Sequence, residues 1–235
     1  MNLLEDSGTG LSAGIVAADL LNLRHDVQEL EKLGPGGCIR ALHFDVMDGC
    51  FTPAMTLGVP FVKAVRTSLL KDVHLMIEDP LEKVEDYVGA GADMVTIHYE
   101  SCTDPGAVLE RLTRLENVND AARGIVRGLA LNPTTPVSVL EPLLPQVDMV
   151  VVLAVDPTVR GGGGVDLEQA AGRVGQVRQL LAGSERRRLI SVDGGVKHQN
   201  VNRFSAMEPD LIVSGSALFA GGAIPENVQR MAELL

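Results

Sequence analysis

The chain has 235 residues, of which 46% are hydrophobic but only 3% aromatic, and it carries no tryptophan. That length suits one large domain that can bury a core without disulfides, and a core of Val, Leu, Ile and Ala suits parallel strands covered by helices. The net charge of −11 excludes a basic nucleic-acid footprint, but not a small anionic ligand held locally by backbone N–H groups.

Short β-rich runs alternate with longer amphipathic ones. In chain order, strands are predicted at residues 14–17, 39–45, 72–77, 94–98, 126–130, 149–153, 189–192 and 211–214. Helices are predicted over 20–33, 81–90 and 167–181, where apolar residues recur at spacings of three and four. Gly91-Ala92-Asp93 reads as a glycine C-cap followed by a strand start. Eight strand–helix repeats predict a single α/β domain over residues 1–235, a closed (β/α)8 TIM barrel. A doubly wound open sheet is the alternative, and it lacks an early G-x-G-x-x-G. The least regular stretches, 46–60 and 156–164, follow strands and so belong to the C-terminal face, where barrel enzymes keep their chemistry.

Cys38, Cys50 and Cys102 are odd in number and form no C-x-x-C pair, which predicts a reducing compartment, the cytoplasm. Met1 to Gly10 shows no basic n-region and no long apolar segment, so no signal peptide is expected. No apolar run reaches the length of a membrane span.

His43-Phe44-Asp45 closes the second predicted strand. Residues two apart point to the same side, so an imidazole and a carboxylate share one face. His74 lies in the third strand and Asp193 at the end of the seventh. A barrel would gather these strand ends around one cavity, and two imidazoles with two carboxylates can hold a divalent metal. Spacing alone also allows satisfied core histidines and aspartates that cap the next helix.

Longer motifs carry a resemblance. Leu42-His43-Phe44-Asp45-Val46-Met47-Asp48-Gly49 and Asp72-Val73-His74-Leu75-Met76 resemble the second- and third-strand signatures of the ribulose-phosphate 3-epimerase family. Leu131-Asn132-Pro133-Thr134-Thr135-Pro136, Val192-Asp193-Gly194-Gly195-Val196 and Val213-Ser214-Gly215-Ser216-Ala217-Leu218-Phe219 resemble later turns of that family, in the same order. The resemblance implies a barrel of the ribulose-phosphate-binding type. It implies metal-dependent 3-epimerisation of a ketose phosphate, with D-ribulose 5-phosphate and D-xylulose 5-phosphate as the default pair. His43, Asp45, His74 and Asp193 would be ligands to one divalent ion, with zinc favoured over iron, manganese or cobalt. Asp45 and Asp193 would also move the proton, one on each face of the carbon, through a metal-stabilised enediolate. Met47 and Met76 match methionines of that site, or are ordinary core residues. Gly194, Gly195, Gly215 and Ser216, with the loop from Asp156, would hold the phosphate. No organic cofactor is required, and the family commonly forms homo-oligomers.

Three departures bear on the substrate. Gly14 stands where the family usually has serine. Cys50 and Ala54 replace a usual histidine and asparagine. The sixth-strand loop reads Pro157-Thr158-Val159-Arg160 followed by four glycines, whose large ordering cost predicts a mobile loop in the empty protein. Arg160 reads as a phosphate contact or a solvated side chain, and Cys50 as a metal contact, a redox-sensitive thiol or a spectator. His98 lines the cavity or is structural, whereas His25 and His198 read as surface residues in helical patterns. A six-carbon ketose phosphate of the allulose 6-phosphate type is therefore an alternative substrate, and a non-catalytic sugar-phosphate binder an alternative role. A barrel decarboxylase is disfavoured, because Asp72-Val73-His74 has no lysine two places after the aspartate.

Overall fold

The computed structural model describes residues 8–34, 37–160, 163–184 and 186–235. Eight parallel strands close a barrel in chain order. They are β1 (Gly10–Gly14), β2 (Ile39–Met47), β3 (Leu70–Met76), β4 (Met94–His98), β5 (Val126–Leu131), β6 (Met149–Leu153), β7 (Leu189–Asp193) and β8 (Leu211–Ser214). Among the described residues seven α-helices cover the outside: α1 (Leu23–Leu33), α2 (Val59–Ala64), α3 (Val84–Gly89), α4 (Pro105–Thr113), α5 (Leu167–Leu181), α6 (Val201–Ser205) and α7 (Ile224–Ala232). Between β5 and β6 the crossover is a 3-10 segment, Val137–Gln146, containing Pro142 and Pro145. Each proline removes an N–H donor and blocks an α-helical ladder there.

The first strand departs from expectation. The apolar Ile15-Val16-Ala17 reads as a strand, but it forms a 3-10 turn in which only Ile15 is buried. The strand is the preceding Gly-Leu-Ser-Ala-Gly, buried throughout and paired with both β2 and β8. Its small residues have little intrinsic strand preference, so pairing on two sides decides the outcome. Two helices also begin late. Leu20 and Leu21 are exposed, and the Leu21 N–H donates to Asp19 Oδ1 in a turn before α1. Lys83 and Val84 likewise donate to the Pro80 carbonyl before α3.

Local signals explain several boundaries. The Asp104 carboxylate caps α4 by accepting from the Ala107 N–H at 3.0 Å, and Asp166 caps α5 through the Gln169 N–H at 2.9 Å. The chain leaves α3 through Gly91, whose φ is +95°. There the Ala92 N–H reaches the Tyr87 carbonyl and the Gly91 N–H reaches Val88, the paired bonds of a Schellman stop.

Alternation along the strands splits the apolar residues into two cores. One set, including Ala41, Leu70, Met94, Met149, Leu189 and Leu211, fills the barrel. A larger set, including Leu42, Phe44, Val73, Leu75, Val95 and Ile97, packs beneath the helices. At the N-terminal face three aspartates that precede strands clamp their neighbours. Asp93, Asp148 and Asp210 accept from the backbone N–H groups of Lys71, Arg127 and Ile190 at 2.8, 3.0 and 2.8 Å.

Thr96 and Gly128 oppose each other across β4 and β5. A Cβ on Gly128 would lie 2.1 Å from Thr96 Oγ1 and 2.9 Å from Thr96 Cβ. Gly128→Ala is therefore expected to destabilise the fold by about 1–3 kcal/mol through overpacking, read as a lower urea midpoint. Adding Thr96→Ala removes Oγ1 but keeps Cβ, so it should recover only part of the loss. An unchanged midpoint for the single variant would show that the interior is not packed in this way.

Candidate metal and acid–base site

The C-terminal mouth is assembled by strand register. In the β2–β3 ladder, His43 stands opposite Asp72 and Asp45 opposite His74. Asp193 closes β7 across the barrel. One ligand atom from each of His43, Asp45, His74 and Asp193 lies within 4.8 Å of the others, a group that could hold a metal ion. His43 Nε2 is 3.3 Å from Asp45 Oδ1 and 3.8 Å from Asp193 Oδ2. His74 Nδ1 is 3.3 Å from Asp193 Oδ2.

Each imidazole is anchored through its other nitrogen. His43 Nδ1 lies 2.7 Å from Asp72 Oδ2, and the same oxygen accepts from the Ser12 hydroxyl at 3.0 Å. His74 Nε2 lies 2.8 Å from His98 Nε2. The remaining nitrogens, His43 Nε2 and His74 Nδ1, are buried without a hydrogen-bond partner among the described residues. Leaving buried nitrogens unsatisfied costs free energy, and these two face a pair of carboxylates. The donor set fits a divalent cation, with two nitrogens and two oxygens on rigid strand ends.

The electrostatics agree. Burial disfavours a His43 cation, yet Asp72 and Asp45 outweigh it and hold the imidazolium well above the usual 6.5. Burial pushes Asp45 upward, but His43 and His74 leave its carboxyl below the usual range. Burial holds His98 below the histidine range, against the opposing pull of Glu100.

The sequence motifs assign no site role to Ser12 or Asp72 and leave that of His98 open. The available signal was periodicity: Asp72 stands two before His74 on one face of β3. Asp48 is a further positioning residue. Its Oδ1 accepts from the Cys50 and Phe51 N–H groups at 2.9 and 3.1 Å, and its Oδ2 from the Glu78 N–H at 2.8 Å. One carboxylate thus ties the loop after β2 to the loop after β3. Burial raises its pKa, but the three donated bonds prevail and keep it below the usual aspartate range.

Met47 and Met76 pair across β2 and β3, one strand repeat above Asp45 and His74. Met76 is 3% exposed yet joins neither apolar cluster. A cavity of about 350 Å³ beside the two carboxylates is lined by Gly14, Ala17, Gly195, Val213, Gly215 and Ser216, among others. Among the described residues its lining holds no lysine or arginine. Gly194 and Gly195 both have positive φ, +107° and +68°. A Cβ on Gly195 would meet Val165 at 2.1 Å and one on Gly194 would meet Val155 at 2.6 Å, so glycine is required there for conformation and for space.

Arg160 and Cys50 are exposed. The expectation of a mobile glycine loop falls partly on Gly161 and Gly162, which lie outside the described residues. His25 is exposed as expected, but His198 is not a surface residue. It is half-buried with both ring nitrogens enclosed, and it lies in the turn between β7 and α6, ahead of the helix that begins at Val201.

No helix among the described residues is long and apolar enough to cross a membrane. The sequence profile of the ribulose-phosphate 3 epimerase family matches residues 10–219. The chain is 34% identical over 213 residues to the ribulose-phosphate 3-epimerase of Treponema pallidum (strain Nichols), covering 90% of this chain and 91% of that one. It is 32% identical over 212 residues to the enzyme of that name from Bacillus subtilis (strain 168), covering 89% and 91%. Among solved structures, 3-hexulose-6-phosphate synthase from Salmonella typhimurium superposes with a TM-score of 0.58 at 20% identity, over 97% of this chain and 98% of that one. That likeness reports the barrel alone. The family match, which spans the positions from His43 to Asp193, and these relatives establish that this chain belongs to the ribulose-phosphate 3-epimerase family and is an epimerase, an isomerase-class enzyme.

Proposed function

We propose that the protein interconverts D-ribulose 5-phosphate and D-xylulose 5-phosphate by metal-dependent proton transfer at C3. The observation that carries this reading is the convergence of two carboxylates with two anchored imidazoles whose free nitrogens face one point. His43, Asp45, His74 and Asp193 would hold one divalent ion, with zinc favoured and iron, manganese or cobalt also suited to the donors. When bound, such an ion supplies positive charge beside the substrate carbonyl, which acidifies the neighbouring C–H and stabilises charge developing on oxygen.

The remaining work falls to the chain's own groups. Asp45 reaches the centre from β2 and Asp193 from β7. Ionised Asp45 takes the C3 proton from one face, and protonated Asp193 returns a proton to C3 on the other. The carbon is inverted, no electrons are exchanged with a redox partner, and the roles reverse in the opposite direction. Met47 and Met76 would supply an apolar, polarisable wall that excludes water. Gly194, Gly195, Gly215 and Ser216 would cradle the phosphate through backbone N–H groups. Free thiols at Cys38, Cys50 and Cys102 support a cytoplasmic setting, and family membership supports a homo-oligomer.

One observation favours a second substrate. Gly14 lines the cavity, where a Cβ would sit 3.3 Å from Gly215 Cα. A side chain there would press on the β8 backbone, so the glycine opens no extra space along that direction; its lack of a hydroxyl contact is what keeps a six-carbon ketose phosphate as the second reading.

The deciding measurement is proton NMR of ribulose 5-phosphate with zinc-loaded protein in D2O. Loss of the C3 proton signal and appearance of xylulose 5-phosphate are expected. Asp45→Asn and Asp193→Asn should each lower kcat by about 10²–10⁴-fold. Exchange confined to allulose 6-phosphate or fructose 6-phosphate would move the assignment to the second substrate. Absence of exchange with any of these sugars would overturn the proposed substrate classes.

Metal binding should also expel a proton. His43 is held protonated above the usual 6.5, and a metal ligand must be deprotonated. Affinity should therefore weaken as pH falls through that raised value. Calorimetry in two buffers of different ionisation enthalpy should report net proton release, and equal heats in both would contradict a metal bound through His43.

A further inference from the structure

His98 is buried beside the site, and its contacts continue away from the centre. His74 and His98 have ring centroids 4.9 Å apart and planes 1° apart. Their Nε2 atoms are 2.8 Å apart. Parallel rings with nitrogen tips that close lie edge to edge in nearly one plane, the geometry of a shared N–H···N hydrogen bond. Only one of the two nitrogens can carry the proton.

The far side of His98 decides which. His98 Nδ1 lies 3.6 Å from Glu100 Oε2, beyond a hydrogen bond, and both atoms are buried with no hydrogen-bond partner among the described residues, so the carboxylate acts on the ring through its charge. An ionised carboxylate only accepts, so it favours the tautomer with the proton on His98 Nδ1. His98 Nε2 is then a lone pair and accepts from the N–H of His74 Nε2. A neutral His74 with its proton on Nε2 has its Nδ1 lone pair free, and that atom faces the metal-ligand cluster. The opposite tautomer would place a proton on His74 Nδ1 and close that position to a cation.

Glu100 is itself held from behind. It accepts from the Asn132 N–H at 2.8 Å and from the Thr135 hydroxyl, both in the turn after β5. The guanidinium of Arg173 on α5 donates to the Thr135 carbonyl at 2.7 Å. Arg173 is 8% exposed; burial disfavours its charge, and Glu100 opposes that effect. Phe51 covers the His98 ring at a centroid distance of 4.8 Å.

We propose that His98 and Glu100 are positioning residues that set the tautomer of His74, and that Arg173 holds Glu100 in place through the β5 turn. This inference rests on the proposed metal site. It assigns the chain of contacts from α5 to the centre a task in metal affinity, in addition to any part in packing. Partners of this kind behind a metal-binding histidine change affinity by about 10–100-fold when removed.

The test uses the full chain stripped of metal and titrated with Zn(II) against a competing chelator. His98→Leu, which cannot accept from His74, should bind about 10–100-fold more weakly than the unaltered chain. His98→Gln presents an amide oxygen to His74 and an amide N–H₂ to Glu100, so it should retain most of the affinity. Glu100→Gln should weaken binding with little loss of folded stability. Long-range ¹⁵N–¹H NMR of the zinc form should show His74 protonated on Nε2 in the unaltered chain, with signals from both tautomers in the zinc-free Glu100→Gln variant. If His98→Leu fails to fold, Glu100→Gln carries the comparison, with His98→Gln as its control. Zinc affinity and His74 tautomer unchanged in His98→Leu, or in Glu100→Gln where that variant stands in for it, would overturn the relay while leaving the metal site intact. Failure of the unaltered chain to bind zinc, iron, manganese or cobalt would instead remove the metal reading and the relay with it.

Discussion

The register of β2 against β3 is the constraint on which the site depends. It sets His43 beside Asp72 and Asp45 beside His74. Because side chains alternate with period two, a slip of one residue would turn the slipping strand's pair, His43 and Asp45 or Asp72 and His74, toward the helices. The packing between strands and helices resists that slip. Phe44, Val46, Val73 and Leu75 occupy the outward positions between these groups and are buried among apolar neighbours. The hydrophobic layer therefore specifies where the polar groups point.

Polar groups inside a barrel carry a cost that this fold meets by pairing. Ser12 donates to Asp72, Asp72 holds His43, and His98 holds His74. A buried polar group is tolerated when its hydrogen bonds are made. Of the nitrogens on His43 and His74, the two left unmatched are those that face the carboxylates. The unmet demand of this pair is concentrated at one point, where a cation could satisfy it, and the surrounding network keeps these side chains from relaxing away.

The two ends of the barrel use aspartate differently. At the N-terminal face, Asp93 and Asp148 are consumed by backbone N–H groups and by Arg123, Arg127 and Arg186. At the C-terminal face, Asp45 and Asp193 keep side-chain exposures of 23% and 14% and remain open to a substrate. Residue type alone does not separate these roles. What separates them is which end of a strand the residue occupies, and what already satisfies it.

Much of this was legible in the chain. The eight strands followed from short apolar runs between amphipathic segments, and all but β1 lie within about two residues of their expected bounds at both ends. The glycine stop at Gly91 is local chemistry, so sequence carries it directly. His43, Asp45, His74 and Asp193 stood in recognisable motifs. Other features were not local. β1 was misplaced because Gly10–Gly14 is a strand only by virtue of two neighbours. The roles of Ser12, Asp72, His98 and Arg173 depend on contacts across 24 to 60 residues of chain. The sequence by itself determined the periodicity, the turns and the chemistry available. Only the tertiary structure decided which polar groups spend their hydrogen bonds on each other and which are left facing the centre, because that depends on closing the barrel in one register.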